Sequence, residues 1–322
     1  MITSLYIDEQ GKLFTNIRKE EYAGIISGGR GVLWVDMESP KQLEAVEVLT
    51  SIFKFHPLSV EDCFHPLQYS RVDVYRDYVF VIAHGLKSDG EQRVETVELD
   101  FYVGANYLVT FRDQPMAAIE AVTQNVVKDA TRMTRGVDWL AHALLDALVD
   151  GYLPVIEATE DRLETLEQAA LEDPGRGTLT DILAVKRDVS RIHRAALPLR
   201  EVISRISREE MAQIKPATRQ YFQDVYDHLV RVTEASEVMR EVSEGALTIY
   251  AMSQNNRTND VIKALSILAT VALPALLVSS VYGMNFTHMP ELDWRFGYLY
   301  ALLTTGGISA SLLLFLKYKK WL

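Results

Sequence analysis

The sequence VYGMNFTHMPELDW, residues 281–294, separates two long apolar segments in the carboxyl-terminal part of the chain. Residues 261–282 carry no charge apart from Lys263, and residues 296–316 carry none at all. Each segment has about 20 residues, which as a helix crosses the ~30 Å hydrocarbon core of a bilayer. The pattern therefore predicts a transmembrane hairpin over residues 261–322, after a large soluble part.

The charges around the hairpin indicate its orientation. Lysines flank the two outer ends: Lys263, and then Lys317, Lys319 and Lys320 in a basic tail. The turn carries Glu291, Asp293 and Arg295. By the positive-inside rule we expect a multi-pass protein of the plasma (inner) membrane with cytoplasmic amino and carboxyl termini. The alternative is a helical hairpin buried in a globular protein, but the uncharged length and the boundary aromatic residues favour a lipid bilayer as partner.

Composition excludes several classes of function. The chain has 322 residues and a formal net charge of -11, and an acidic body does not suit nucleic-acid binding. Its single cysteine, Cys63, allows no internal disulfide, which suits a reducing compartment. The sequence contains no phosphate-binding glycine loop, no H-E-x-x-H and no G-x-S-x-G, so we do not expect an enzyme.

Residues 1–135 are predicted to form one cytosolic α/β domain. Strand patterns occupy residues 5–8, 12–14, 32–36, 72–75, 78–86, 94–103 and 107–111. Residues 78–83 are continuously apolar, as in a strand that is covered on both faces. Ser39-Pro40 and Pro115 are typical of helix starts and predict helices over 39–55 and 115–133.

Residues 136–260 are predicted to form a helical stalk. Apolar residues at helical spacing predict helices over about 137–171, bent by Pro154, and 178–210. A third helix is predicted to run without interruption over 217–282, through the first span. A helix of this length needs lateral support, and oligomerisation about a central axis supplies it. The predicted fold class is thus an α/β domain, a coiled-coil-like helical funnel and two transmembrane helices.

One face of the long helix can be followed along the sequence. Its members recur mostly every three or four residues: Thr248, Asn255, Asn259, Ile262, Leu265, Ala269, Leu273, Leu276 and Ser280. A helix dimer could use such a stripe as a packing surface. A ring of identical helices would instead turn it toward a shared axis, forming a pore with an apolar constriction that gates by dewetting.

Several segments resemble the CorA metal ion transporter superfamily, and in particular its magnesium transport proteins. Tyr-Gly-Met-Asn-Phe at 282–286, followed by Met-Pro-Glu-Leu at 289–292, is similar to the signature of that family. The segments 56–63, 71–78 and 258–261 and the basic tail 317–322 are also similar to family segments. The resemblance covers nearly the whole chain.

The resemblance implies a homopentameric, channel-like transporter with a cytosolic funnel. Gly283, Met284 and Asn285 would form the outer mouth and selectivity motif, and Asn259 a polar ring inside the pore. The apolar gate would be formed by three side chains: Ile262, Leu265 and Leu273. Transport of Mg²⁺ is implied first, with Co²⁺ or Ni²⁺ as further substrates.

The chemistry of the mouth suits a hydrated divalent ion. Mg²⁺ loses water reluctantly and usually keeps several waters. A neutral ring of amides and carbonyls can hydrogen-bond this hydrated ion, whereas five carboxylates would bind too tightly for conduction. Glu291 and Asp293 could raise the local cation concentration, or they could simply solvate an exposed loop.

The resemblance also implies regulatory metal sites between neighbouring subunits. Asp224 on the long helix corresponds to one such carboxylate, and Asp89 in the turn after the second long strand to its partner. Occupied sites would hold a closed ring together, and low Mg²⁺ would release it. The alternative for both residues is a solvated surface carboxylate.

Two departures from the family pattern and two alternative functions remain. Leu276 stands where a threonine is expected and Thr248 where an acidic ring can occur, so both changes make the pore less polar. A ZntB-like transporter of Zn²⁺ shares Gly-Met-Asn, but the following Met-Pro-Glu-Leu and the scattered histidines argue against it. The other alternative is a non-conducting, membrane-anchored scaffold or sensor.

Overall fold

The computed structural model describes residues 1–67, 69–88, 93–172, 174–285, 287, 289–290 and 293–319, with only the backbone of Arg176. The chain divides into two compact units, Met1–Leu247 and Thr248–Leu322. Each unit is built from elements that the apolar pattern of the sequence explains.

A mixed sheet forms the centre of the first unit. Its strands in the described residues are β1 (Ile2–Ile7), β2 (Leu13–Thr15), β3 (Val32–Glu38), β4 (Arg71–Val74), β5 (Val79–Ser88), β6 (Val94–Val103) and β7 (Tyr107–Arg112). Their order is β2-β1-β3-β7-β6-β5-β4. The β3–β7 pair is parallel and the others are antiparallel. β5 is buried along nearly its whole length, as its continuous apolar sequence predicts.

Helices cover both faces of this sheet because side chains alternate across each strand. One face bears Leu33, Phe80 and Tyr102, which belong to one core with the short helices. These are α1 (Lys19–Gly28), α2 (Gln42–Glu47) with a following π-helical turn (Val48–Ile52), and α3 (Pro57–Asp62). The other face, with Trp34 and Phe101, belongs to the core of the later helices. The structure confirms the predicted amino-terminal α/β architecture, while the domain boundary at residue 135 stays a prediction.

The later helices follow in chain order. They are α4 (Ala117–Lys128), α5 (Thr131–Thr134), α6 (Val137–Asp150), α7 (Tyr152–Glu172), α8 (Arg176–Arg208), α9 (Pro216–Tyr282) and, in the second unit, α10 (Gly297–Tyr318). α9 is continuous, as the absence of an early proline predicts, and includes Pro274. The predicted long helix is therefore confirmed.

Three helix predictions were wrong in detail. The single helix expected over 137–171 is two helices separated at Gly151. Pro154 cannot donate a backbone hydrogen bond and would clash with the carbonyl four residues earlier, so it stands in the first turn of α7. The helix expected over 39–55 begins at Gln42 because Ser39 has a positive φ of 41°, and the helix over 115–133 is divided into α4 and α5.

Among the described residues, three helical segments are long and apolar enough to cross a membrane: Val137–Glu172, Pro216–Tyr282 and Gly297–Tyr318. In the first, 56% of the most apolar stretch is buried inside the protein, against 6% and 0% in the other two. An apolar surface that the protein already covers does not need lipid. We therefore assign Val137–Glu172 to the core, and the other two remain the predicted membrane spans.

Candidate pore segment and metal-ligand cluster

The second unit contains the later part of α9, from Thr248, and α10, which contact each other along one side of α9. The less exposed residues on that side are Ile267, Thr270, Val271, Pro274, Val278 and Tyr282. The Ser309 hydroxyl of α10 donates a hydrogen bond to the Val271 carbonyl at 3.1 Å. At 100° per residue these positions form a single stripe, so α10 occupies one face of α9 and leaves the rest uncovered within the chain.

The predicted pore face lies on the opposite side of α9 from α10. All nine of its members are exposed: Thr248, Asn255, Asn259, Ile262, Leu265, Ala269, Leu273, Leu276 and Ser280. Four of them are large apolar side chains that remain 55–67% exposed. An uncovered apolar stripe of this kind marks a surface for protein or lipid contact.

The Gly-Met-Asn motif caps the carboxyl end of α9. The Gly283 N–H donates to the Ser279 carbonyl at 3.0 Å, and the Met284 N–H to the Val281 carbonyl at 3.2 Å. A Cβ atom on Gly283 would lie 3.2 Å from the Ser279 oxygen, so glycine suits this close approach. Met284 and Asn285 are exposed. The partial negative charge at a helix carboxyl terminus favours a cation near this motif.

Some of the charged residues that were predicted around the hairpin lie within the described part of the chain. Asp293 is exposed after the turn, and Lys317 and Lys319 are exposed at the end of α10. Glu291, Lys320 and the predicted regulatory residue Asp89 lie outside the described residues.

Asp224, the other predicted regulatory residue, is exposed on α9 beside a group of metal-ligating side chains. Within the described residues, Asp146 and Asp150 of α6 and His228 of α9 have ligand atoms that all lie within 4.8 Å of one another. The His228 Nδ1 atom is 3.9 Å from the Asp150 carboxylate. We call Asp146, Asp150 and His228 the acidic–histidine cluster.

Aromatic packing between α6 and α9 brings these side chains together. The rings of Trp139 and Tyr221 meet edge to face with centroids 4.5 Å apart, and those of His142 and Phe222 at 5.4 Å. Phe222 is fully buried. Since residues four apart share a helix face, fixing these pairs also fixes Asp146 and Asp150 opposite Asp224 and His228.

The electrostatics of the acidic–histidine cluster favour a cation. Burial raises the pKa of Asp146, the neighbouring His142 acts in the opposite direction, and Asp150 and Asp224 add to the rise. Burial also disfavours the charged form of His142 and so lowers its pKa. The Nδ1 atom of His142 has no hydrogen-bond partner among the described residues. The donor set of two carboxylates and an imidazole fits a divalent cation, and the imidazole especially suits Zn²⁺, Co²⁺ or Ni²⁺.

The sequence analysis did not identify Asp146, Asp150 or His228. One signal was present: Asp146 and Asp150 are four residues apart, as are Asp224 and His228. That spacing gives each helix one ligand-bearing face, but it does not say that the two faces meet.

Comparisons with known proteins agree with the fold and the motif. Residues 29–320 match the family described as CorA-like Mg²⁺ transporter protein. The cobalt/magnesium transport protein CorA of Thermotoga maritima is 31% identical over 296 residues, covering 90% of this chain and 83% of that protein. The putative metal ion transporter YfjQ of Bacillus subtilis is 30% identical over 288 residues, covering 89% of each.

A solved structure shows the same fold along the whole chain. The complete structure of the CorA magnesium transporter from Methanocaldococcus jannaschii superposes with a TM-score of 0.85 at 21% identity, covering 100% of this chain and 99% of that one. The family match, the two relatives and the shared fold all include the region of the Gly-Met-Asn motif. The chain therefore belongs to the CorA-like Mg²⁺ transporter protein family.

Proposed function

We propose that this protein carries Mg²⁺ across the plasma membrane through a homopentameric pore lined by five copies of α9. Membership of the family makes the chain a divalent-metal transport protein of the membrane. The observation that carries the proposal is the exposed stripe of α9 on the side opposite α10, which ends at the Gly-Met-Asn motif.

The chemistry of this stripe supports a conducting role. Asn255 and Asn259 supply neutral polar groups before the span, and the leucines within it supply a constriction that excludes water when the pore is closed. Asn285 and the Gly283 carbonyl would hydrogen-bond the waters of an incoming ion. Mg²⁺ fits such a mouth because it can pass with most of its hydration shell in place.

Two findings favour Mg²⁺ over Zn²⁺ as the substrate. The most similar relatives described above include a cobalt/magnesium transport protein. In the described residues, the proposed pore stripe contains no cysteine or histidine, and these are the ligands that Zn²⁺ prefers. Co²⁺ and Ni²⁺ remain further candidate substrates.

We also propose that cytosolic divalent ions regulate the pore through Asp224 and the acidic–histidine cluster. The closely spaced carboxylates of Asp146 and Asp150 on α6 support this role because a bound cation would relieve their mutual repulsion. Binding that is tighter in a closed ring would shift the population toward that ring. Asp89 remains the proposed partner of Asp224 from a neighbouring subunit.

Ion uptake into liposomes that contain the purified full chain tests the transport proposal. We expect Mg²⁺ uptake that follows an inside-negative membrane potential and is lost in Asn285→Ala. Thr287→Ala is the matched control, because Thr287 is an exposed polar residue of the same loop outside the motif. Its uptake should equal that of the wild-type protein.

Other outcomes would point to the alternative functions. Uptake of Zn²⁺ along a pH gradient, with little Mg²⁺ uptake, would replace the proposal with a ZntB-like transporter. Folded, oligomeric protein that moves neither ion would favour a membrane-anchored scaffold.

A further inference from the structure

A cavity of 650 Å³ lies in the first unit, between α8 and the start of β6. Three guanidinium side chains line it, those of Arg93, Arg191 and Arg194, together with Tyr69. We call this the arginine cavity. Its volume falls within the range of about 300–1,000 Å³ that small-molecule sites occupy.

The charge of the arginine cavity is opposite to that of the chain. The whole protein carries a net charge of -11, but Glu95 is the one carboxylate among the described residues that line the cavity. Glu95 is itself 3.5 Å from the ammonium group of Lys87. Asp188 pairs with Arg191 at 3.0 Å, so the guanidinium group of Arg194 is the one on α8 that most favours an anion in the cavity.

The two arginines of α8 are each anchored by hydrogen bonds to neighbouring groups of the protein. The Arg191 Nη1 atom donates to the Val94 carbonyl at 3.2 Å and to Asp188 at 3.0 Å, which fixes its side chain against β6. The Arg194 Nε atom donates to the Ser190 carbonyl at 3.2 Å, and its two terminal nitrogens make no hydrogen bond within the described part of the chain. A guanidinium fork of this kind matches the oxygens of a phosphate group.

The remaining wall of the arginine cavity is mixed, with apolar and aromatic residues beside the polar side chains of His84, Glu95 and Thr96. Its apolar residues are Leu67, Val94 and Ala195, and Tyr69, which also lines it, is 54% exposed as a residue. An exposed aromatic ring beside phosphate-binding groups offers a stacking surface for a planar base.

We propose that the arginine cavity binds a nucleoside polyphosphate, with its phosphates on Arg191 and Arg194 and its base against Tyr69. The ligand would join α8 to the start of β6 and stabilise the first unit. This binding does not depend on the identity of the transported ion.

Calorimetric titration of the full chain in detergent with ATP, inorganic triphosphate or adenosine tests the proposal, with EDTA present to remove divalent ions. We expect saturable binding of ATP, about tenfold weaker binding of triphosphate because base stacking is lost, and no measurable binding of adenosine. Arg194→Gln should weaken ATP binding by about tenfold to hundredfold, since it removes a charge-assisted contact.

Arg187→Gln is the matched control for this substitution. Arg187 is also exposed on α8, and its Nε atom donates to the carbonyl four residues earlier at 3.1 Å, as in Arg194, but it does not line the cavity. It should leave ATP binding unchanged. Tyr69→Leu should weaken ATP binding by about tenfold and leave triphosphate binding as it was.

Three results would overturn the proposal. The first is that the folded protein binds no ATP. The second is an equal loss of affinity in Arg187→Gln and Arg194→Gln, which would indicate general surface electrostatics. The third is triphosphate binding as tight as ATP binding and unaffected by Tyr69→Leu, which would indicate a simple anion site.

Discussion

Removing one charge from the acidic–histidine cluster should change stability in opposite directions with and without a divalent ion. The ligand oxygens of Asp146 and Asp150 lie within 4.8 Å of each other. Two like charges at that distance repel by about 0.9 kcal/mol in water and about 3.5 kcal/mol at an effective dielectric constant of 20. Because the Asp150 side chain is 65% exposed, the screened end of this range, about 1 kcal/mol, applies.

Asp150→Asn should therefore raise the stability of the ion-free protein. At pH 8, where histidine side chains are ordinarily neutral, about 1 kcal/mol corresponds to a rise in melting temperature of about 2–4 °C for a unit of this size. In the wild-type protein, a divalent ion at about 100 times its Kd adds about 2.7 kcal/mol, or about 5–10 °C. The variant should lose most of that ion-dependent increase.

Thermal unfolding of the full chain in detergent, followed by circular dichroism in EDTA and in excess Mg²⁺ or Co²⁺, measures both effects. Asp227→Asn is the control, because Asp227 is an exposed carboxylate next to His228 in the sequence. Its side chain accepts a hydrogen bond from Gln223 that asparagine can also accept. A lower melting temperature of Asp150→Asn in EDTA, or a full ion-dependent increase in that variant, would refute the reasoning.

Three further substitutions test the stability of the first unit and the proposed gate. The Asp188 side chain is 2% exposed and forms salt bridges with Arg162 at 3.2 Å and Arg191 at 3.0 Å. Asp188→Asn should therefore lower the free energy of unfolding by about 3 kcal/mol. A loss below about 1 kcal/mol in the same melting assay would contradict this prediction. Phe222→Ala should lower the free energy of unfolding by about 3–5 kcal/mol because it removes a fully buried ring between α6 and α9. An unchanged melting temperature would show that this contact does not stabilise the protein. Leu273→Asn should sustain Mg²⁺ uptake into liposomes even when internal Mg²⁺ is high, because a polar ring no longer excludes water; uptake that still stops would argue against an apolar gate at this position.

Strands and the long helix were predictable where a local pattern was strong. β5 and β6 follow from apolar and β-branched runs bounded by turn residues. α9 follows from helical periodicity without an early proline. The break at Gly151 was missed because the apolar periodicity continues across it. Pro154 was predicted to bend one long helix, but proline is tolerated in the first turn of a helix, so its effect depends on where the helix begins.

The sequence by itself determined the α/β domain, the long helix, the two apolar segments and the motif at residues 283–285, because each depends on neighbouring residues or a regular repeat. The tertiary structure decided which faces meet. It placed α10 opposite the proposed pore stripe, Asp150 beside His228, and Arg191 against the start of β6. These contacts join residues far apart in the chain. They arise because each helix and sheet buries its apolar face against another element, and this packing fixes which of the remaining faces lie side by side.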